Sequence, residues 1–276
     1  MEQTDIESRL NAVWHNPEYA IFCQSPYYYP REILPAALLF VGMNPSESKD
    51  KSELSENSYP VNQSGNTHPF FKAYEKFALD CCAGTWSHID LFYFRKTEQK
   101  DIGSILEKKE GAGFLYEQLL ITRDRIIAAQ PKLIVVANAG AAGFMGRDKR
   151  TEPNIPANQR NEWMNLDFYW SQELGAYLWN DVPVFFSSML SGQRALDKGS
   201  YELLAWQVSN VLAMVDHKML SIIKSLADIR KQKHFFVKDT QQYDLASQAR
   251  ESEKELQMKL REYRYNKTAL AVTSGI

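Results

Sequence analysis

The chain has 276 residues, a formal net charge of −2, 44% hydrophobic and 24% charged side chains. That balance excludes a disordered, collagen-like or disulfide-stapled protein. No apolar run approaches the roughly 18 residues of a membrane span, the opening MEQTDIESRL lacks the basic-then-apolar pattern of a secretory leader, and Cys23, Cys81 and Cys82 have no metal-ligand spacing. The expectation is a cytoplasmic protein with no metal, cofactor or membrane partner, with Cys81 and Cys82 as buried thiols at a helix end. Its oligomeric state is left open.

TDIESRLNAVW opens with Thr4 and Glu7 in capping-box spacing, and Ile6, Leu10 and Val13 follow at helical intervals, so a helix is expected over about 5–15. SPYYYPREILP is too rich in proline and tyrosine for regular structure. AALLFVG, between Pro35 and Gly42, reads as a fully buried strand over 37–42. A polar loop from Asn44 to Thr67 follows, longer than compact domains usually tolerate without a functional reason. HPFFKAYEKFALDCC is helical, with Phe71, Tyr74, Phe77 and Ala78 on one stripe. A strand over 88–93, the amphipathic helix GFLYEQLLITRDRIIAAQ and a strand over 132–138 come next. RDKRTEPNIPANQRNEW is loop, VPVFFSS gives a strand over 182–188, and GSYELLAWQVSNVLAMVDH is a helix.

Strands alternating with helices predict a three-layer α/β domain with a four-stranded, mostly parallel sheet, spanning residues 1–216. Residues 217–276 form a helical, basic extension, read as two helices around Phe235. The extension carries a net +5 and the first 216 residues −7. A charged tail of that kind is either a solvated helix face or a handle for a polyanion.

In parallel sheets ligands sit beyond the carboxyl ends of the strands. There the chain keeps its unusual residues: Gly42-Met43-Asn44-Pro45 after the first strand, Arg95 after the second, Asn138 after the third and Met189 to Arg194 after the fourth. Gly42 permits close backbone approach. Pro45 biases Asn44 towards extended backbone. The carboxamide of Asn44 offers both a donor and an acceptor and cannot take a proton at neutral pH, so it suits orienting a water or a ligand amide. An Asx-turn is the plain alternative.

A first parallel strand ending in Gly-Met-Asn-Pro resembles the first motif of the uracil-DNA glycosylase superfamily, in its mismatch-specific and single-strand-selective branches. MLSGQR, Met189 to Arg194, stands where the second motif follows the last strand, and the order of elements fits from about residue 35 to 215. The resemblance implies a DNA glycosylase that hydrolyses the N-glycosidic bond of a damaged or mismatched base, with DNA as partner. Asn44 would position the hydrolytic water, and Gly42 and Met43 would shape the base pocket. Phe70 or Phe71 would stack on the base, unless they belong to the helix core. Met189, Leu190, Ser191, Gly192 and Arg194 would contact nucleic acid, with Leu190 or Leu196 as the wedge entering the helix and Tyr27, Tyr28 and Tyr29 as stacking surface.

The chain also departs from the family pattern. Leu190 replaces the usual proline, SSMLSGQR lacks a histidine, and Asp90 stands against a base-reading asparagine. An ionised carboxylate only accepts hydrogen bonds, so it would favour N–H-bearing edges such as those of cytosine or guanine. The acidic main domain would bind phosphate only through a local basic rim, for which Arg95, Lys96, Arg147, Lys149, Arg150, Arg194 and Lys198 are available. Alternatives remain: the same fold holding a nucleotide or nucleic acid without cleaving it, or an unrelated α/β hydrolase or transferase.

Overall fold

The computed structural model describes residues 3–46, 57–61, 69–97, 100–147, 163–192, 194–214, 217–238 and 242–273. Most of the polar stretch after Asn44, together with His68, Lys149, Arg150 and Gln193, lies outside them.

Four strands form at or near the expected places: β2 (Leu38–Gly42), β4 (Trp86–Asp90), β5 (Leu133–Val136) and β8 (Val182–Phe186); β4 begins two residues before the expected 88–93 and ends at Asp90, so Leu91 to Tyr93 belong to the loop that follows it. They lie in the order β4-β2-β5-β8, all parallel. The sheet is not four-stranded, however. A hairpin of β6 (Tyr169–Ser171) and β7 (Ala176–Trp179) pairs antiparallel onto the free edge of β8, making a mixed six-stranded sheet. The turn is made by Gly175 at φ +61°, whose N–H donates to Ser171 O at 2.9 Å. A separate parallel pair joins β1 (Tyr29–Pro30) to β3 (Ser58–Tyr59).

Alternate residues of the central strands feed two cores, as a sheet covered on both faces requires. Leu39, Val41, Ile134 and Val136 pack with Leu10 of α1 (Gln3–Trp14) and with Phe114 and Leu119 of α4 (Gly111–Ala129). Leu38, Phe40, Leu133 and Val135 pack with Tyr74 and Phe77 of α2 (Pro69–Asp80) and Val208 of α6 (Lys198–Met214). The short helices α3 (Lys100–Leu106) and α5 (Ala139–Met145) complete the layers. In α1 the carboxylate of Glu7 accepts from the Tyr29 hydroxyl at 2.5 Å, which ties the helix to β1.

The extension consists of α7 (His217–Lys238) and α8 (Tyr243–Thr273), packed together as a helical hairpin. Ile223, Leu226 and Leu260 belong to the same buried cluster as Phe40. Arg230 bridges Glu173 (2.8 Å) in the β6–β7 turn and Glu253 (2.9 Å) in α8, and Lys224 lies 3.4 Å from Asp181. The hairpin is thus an integral part of the second core. Cys81 is buried, but Cys82 is exposed, at φ +55° in the turn after α2. Among the described residues no helix is long and apolar enough to cross a membrane, and no group of three or more His, Cys, Asp or Glu is placed to hold a metal ion.

Candidate functional site

The strand order creates a switch point. After β2 the chain moves outward to β4, and after β5 it moves the opposite way towards β8, so the loops beyond β2 and β5 diverge. Met43 and Asn138 stand on either side. Met43 is buried, and its Cε packs so closely on Gly140 that a side chain there would collide with it. Asn138 caps α5, its Oδ1 accepting from the N–H groups of Gly140 (2.9 Å) and Ala141 (3.4 Å).

Asn44 is half-buried. Its Nδ2 donates to Pro45 O at 2.9 Å and to Lys96 O at 2.6 Å, while Lys96 N–H donates to Pro45 O at 3.0 Å. Because both neighbours are carbonyls, the amide nitrogen must face them. Asn44 therefore staples the loop after β2 to the loop after β4, and what its carboxamide can offer a ligand is the acceptor Oδ1. The partner loop is itself rigid. Phe92 N–H donates to Met43 O at 2.9 Å, Tyr93 N–H to the side chain of Gln118 at 2.8 Å, and Thr122 Oγ1 to Leu91 O at 2.9 Å.

Beneath this edge lies a buried polar cluster. Parallel register sets Phe40 beside His88 and Gly42 beside Asp90, so His88 and Asp90, two residues apart, share one face of β4. Gly42 is required by contact: a Cβ there would lie far inside van der Waals contact distance of Asp90 Oδ1. His88 is fully buried, ringed edge-on by Phe70 (5.3 Å), Phe71 (5.7 Å) and Tyr74 (5.2 Å). The Tyr59 hydroxyl lies 3.4 Å from His88 Nδ1, and His88 Nε2 lies 3.8 Å from Asp90 Oδ1.

Burial pushes the Asp90 carboxyl up to about 7, partly countered by a hydrogen bond from Tyr59, and burial alone holds His88 down to about 3. The His88–Asp90 contact is therefore not an ion pair at neutral pH. Proton placement agrees. If the Tyr59 hydroxyl donates to Asp90, its oxygen accepts from His88 Nδ1–H. Nε2 then carries an unshared lone pair 3.8 Å from Asp90 Oδ1, beyond hydrogen-bond reach, and finds no partner among the described residues, so the proton of Asp90 is not committed to it. Asp90 is 6% exposed and near neutrality can act as donor or acceptor. The sequence-based expectation of an acceptor-only carboxylate is revised accordingly.

The other expected site residues are distributed unevenly. Phe70 and Phe71 are half-buried in the first turn of α2, where they roof His88, and Phe71 also faces Tyr59 at 5.6 Å. Arg95 is buried, its guanidinium 3.9 Å above the Tyr28 ring. Tyr27 and Tyr29 are core residues, which leaves only Tyr28 of that trio partly open. The loop after β8 closes on itself: Leu196 N–H donates to Met189 O at 3.0 Å and Ala195 N–H to Gly192 O at 3.2 Å, with Gly192 at φ +81°. Met189 and Ser191 are half-buried, and Gly192 and Arg194 are exposed. Leu190 is buried in the second core and Leu196 packs against it, so neither projects as a wedge. Strand β5 stands between this loop and the Asn44 edge.

Reading Asp90 alone missed His88 and Tyr59. The i, i+2 spacing of His88 and Asp90 on a strand was a usable signal; Tyr59, in a two-residue strand within a polar stretch, offered none. No protein-family model matches the chain, and no curated protein matches it.

Proposed function

We propose that this protein is a base-excising hydrolase of the uracil-DNA glycosylase type, acting at the carboxyl edge of β2 and β4. The carrying observation is the pairing, on adjacent parallel strands, of a clamped asparagine whose Oδ1 is its ligand-facing acceptor with a buried carboxyl that holds its proton to about 7. In this reading Asn44 Oδ1 orients a water towards the sugar carbon. The carbon–nitrogen bond to the base breaks as the carbon–oxygen bond to water forms, the departing base carries the negative charge, and the proton lost by water passes to solvent, from which the released base is reprotonated. Asp90, protonated, donates a hydrogen bond to a base carbonyl and stabilises that charge. The aromatic roof of Phe70 and Phe71 supplies stacking surface that offsets part of the few kcal/mol needed to extrude a base. The alternative, a module that holds a nucleotide without cleaving it, draws support from the structural use of both Asn44 donors.

Incubation with duplexes carrying uracil, hypoxanthine or mismatched thymine, followed by alkaline cleavage of abasic sites, separates the two. The expected result is excision of at least one base, reduced about 100-fold or more in Asn44→Ala, the scale of losing one preorganised polar group, with DNA affinity nearly retained. If the wild-type protein releases no base from any of these duplexes, the hydrolase assignment fails and binding alone remains.

A further inference from the structure

The segment that carries Lys96 faces two ways. Its main chain holds Asn44; its other side lines a cleft of about 220 Å³ between residues 21–25, residues 94–96 and α3. Polar lining comes from Gln24, Ser25, Arg95, Lys96, Ser104 and Lys108. Three of these are cations, set against one lining carboxylate, Asp101, and Phe22, Phe94 and Ile105 give the cleft an apolar floor.

We propose that this cleft binds a backbone phosphodiester of the nucleic acid strand whose base is presented at Asn44. The proposal rests on the proposed function for the identity of the strand. Its own support is geometric. Two hydroxyls, an amide and an excess of positive charge converge on a space large enough for a phosphate, and the apolar floor suits a sugar. Arg95 is held in place by its stack on Tyr28, so its orientation costs little on binding. Lys96 joins cleft and base edge: its carbonyl accepts from Asn44 and the residue lines the cleft. Three cations of α7 are already engaged: Lys224 with Asp181, and Arg230 and Lys233 with Glu253. In a main domain of net charge −7, affinity for a polyanion must come from such a local concentration of positive charge.

The test is titration of a labelled single-stranded oligonucleotide into the full chain over a range of salt, comparing wild type, Lys96→Gln, Lys108→Gln and, as control, Lys254→Gln in α8, which is not among the residues lining the cleft. Each cleft variant is expected to weaken binding and to lower the slope of log affinity against log salt by about 0.7, one phosphate contact on a single strand. Lys254→Gln is expected to leave the slope unchanged. Unchanged slopes in both cleft variants overturn the proposal. It is also overturned if a nucleoside monophosphate loses its binding in the cleft variants while the oligonucleotide does not, since the cleft would then serve a free nucleotide. A lowered slope without base excision keeps the cleft and removes the hydrolase. Excision with unchanged slopes does the reverse, and a wild-type protein that binds no oligonucleotide removes both.

Discussion

At the scale of single residues, His88 and Asp90 titrate in opposite senses. In the folded protein Asp90 keeps its proton to about 7, against an ordinary 3.8, so the folded state holds more protons across that range and stability falls as pH rises through it. His88 stays neutral to about 3, against 6.5, so the unfolded state holds more protons and stability falls as pH drops through that range. Between about pH 4 and 6.5 the two slopes oppose each other, and the wild-type protein is expected to be nearly flat in urea midpoint. Asp90→Asn leaves His88 alone and should make stability climb by roughly a few kcal/mol from pH 4 to 6.5. His88→Gln leaves Asp90 alone and should make it fall by a similar amount. Urea midpoints at pH 4, 5.5 and 6.5 check this; two variants with slopes of the same sign would show that the pair does not titrate as its burial requires.

At the scale of elements, Leu190 separates packing from recognition. Its side chain fills the second core alongside Leu204 and Val208 of α6. Leu190→Ala is therefore expected to cost about 2–5 kcal/mol, the usual loss for a buried leucine, while the salt slope of oligonucleotide binding stays unchanged. An unaltered urea midpoint with weakened DNA binding would restore the wedge. The four parallel strands were legible because runs such as AALLFVG and KLIVVA are bounded by Pro, Gly or Asn and are too short for helices. The β6–β7 hairpin was hidden although FYWSQELGAYLW sets aromatic-rich segments on either side of a polar turn with a glycine; its partner, the free edge of β8, exists only once the parallel sheet is assembled. Asn44 was legible as a strand-end amide, but the use of its nitrogen was not, because Lys96 O lies 52 positions away along the chain.

At the scale of the whole molecule, the opposite charges of the two parts meet. Glu173 and Asp181 of the main domain face Arg230 and Lys224 of the extension, so part of the basic excess serves docking and not a polyanion. These pairs are partly exposed and contribute modestly, about 1 kcal/mol or less each; the apolar contacts of Ile223, Leu226 and Leu260 dominate. A chain ending at Met214 is expected to lose near-ultraviolet circular dichroism and cooperative urea unfolding, in contrast with the autonomous 1–216 domain that composition suggests. A truncated chain that unfolds cooperatively with an unchanged midpoint would return the extension to the periphery.

The burial of Leu260 in the same cluster as residues as early as Leu38 also sets a timetable for synthesis. Domains tend to fold as units while the ribosome delivers the chain from its amino end. Here the second core, which holds Phe40 and Leu133, gains Leu260 only once α8 has been made. A nascent chain stalled after α6 contains every strand of the sheet but lacks Ile223, Leu226 and Leu260, and leaves that part of the cluster open to solvent. Chaperone capture during translation, and sensitivity to ribosome pausing between codons 215 and 260, are the cellular marks such a late-closing core would leave.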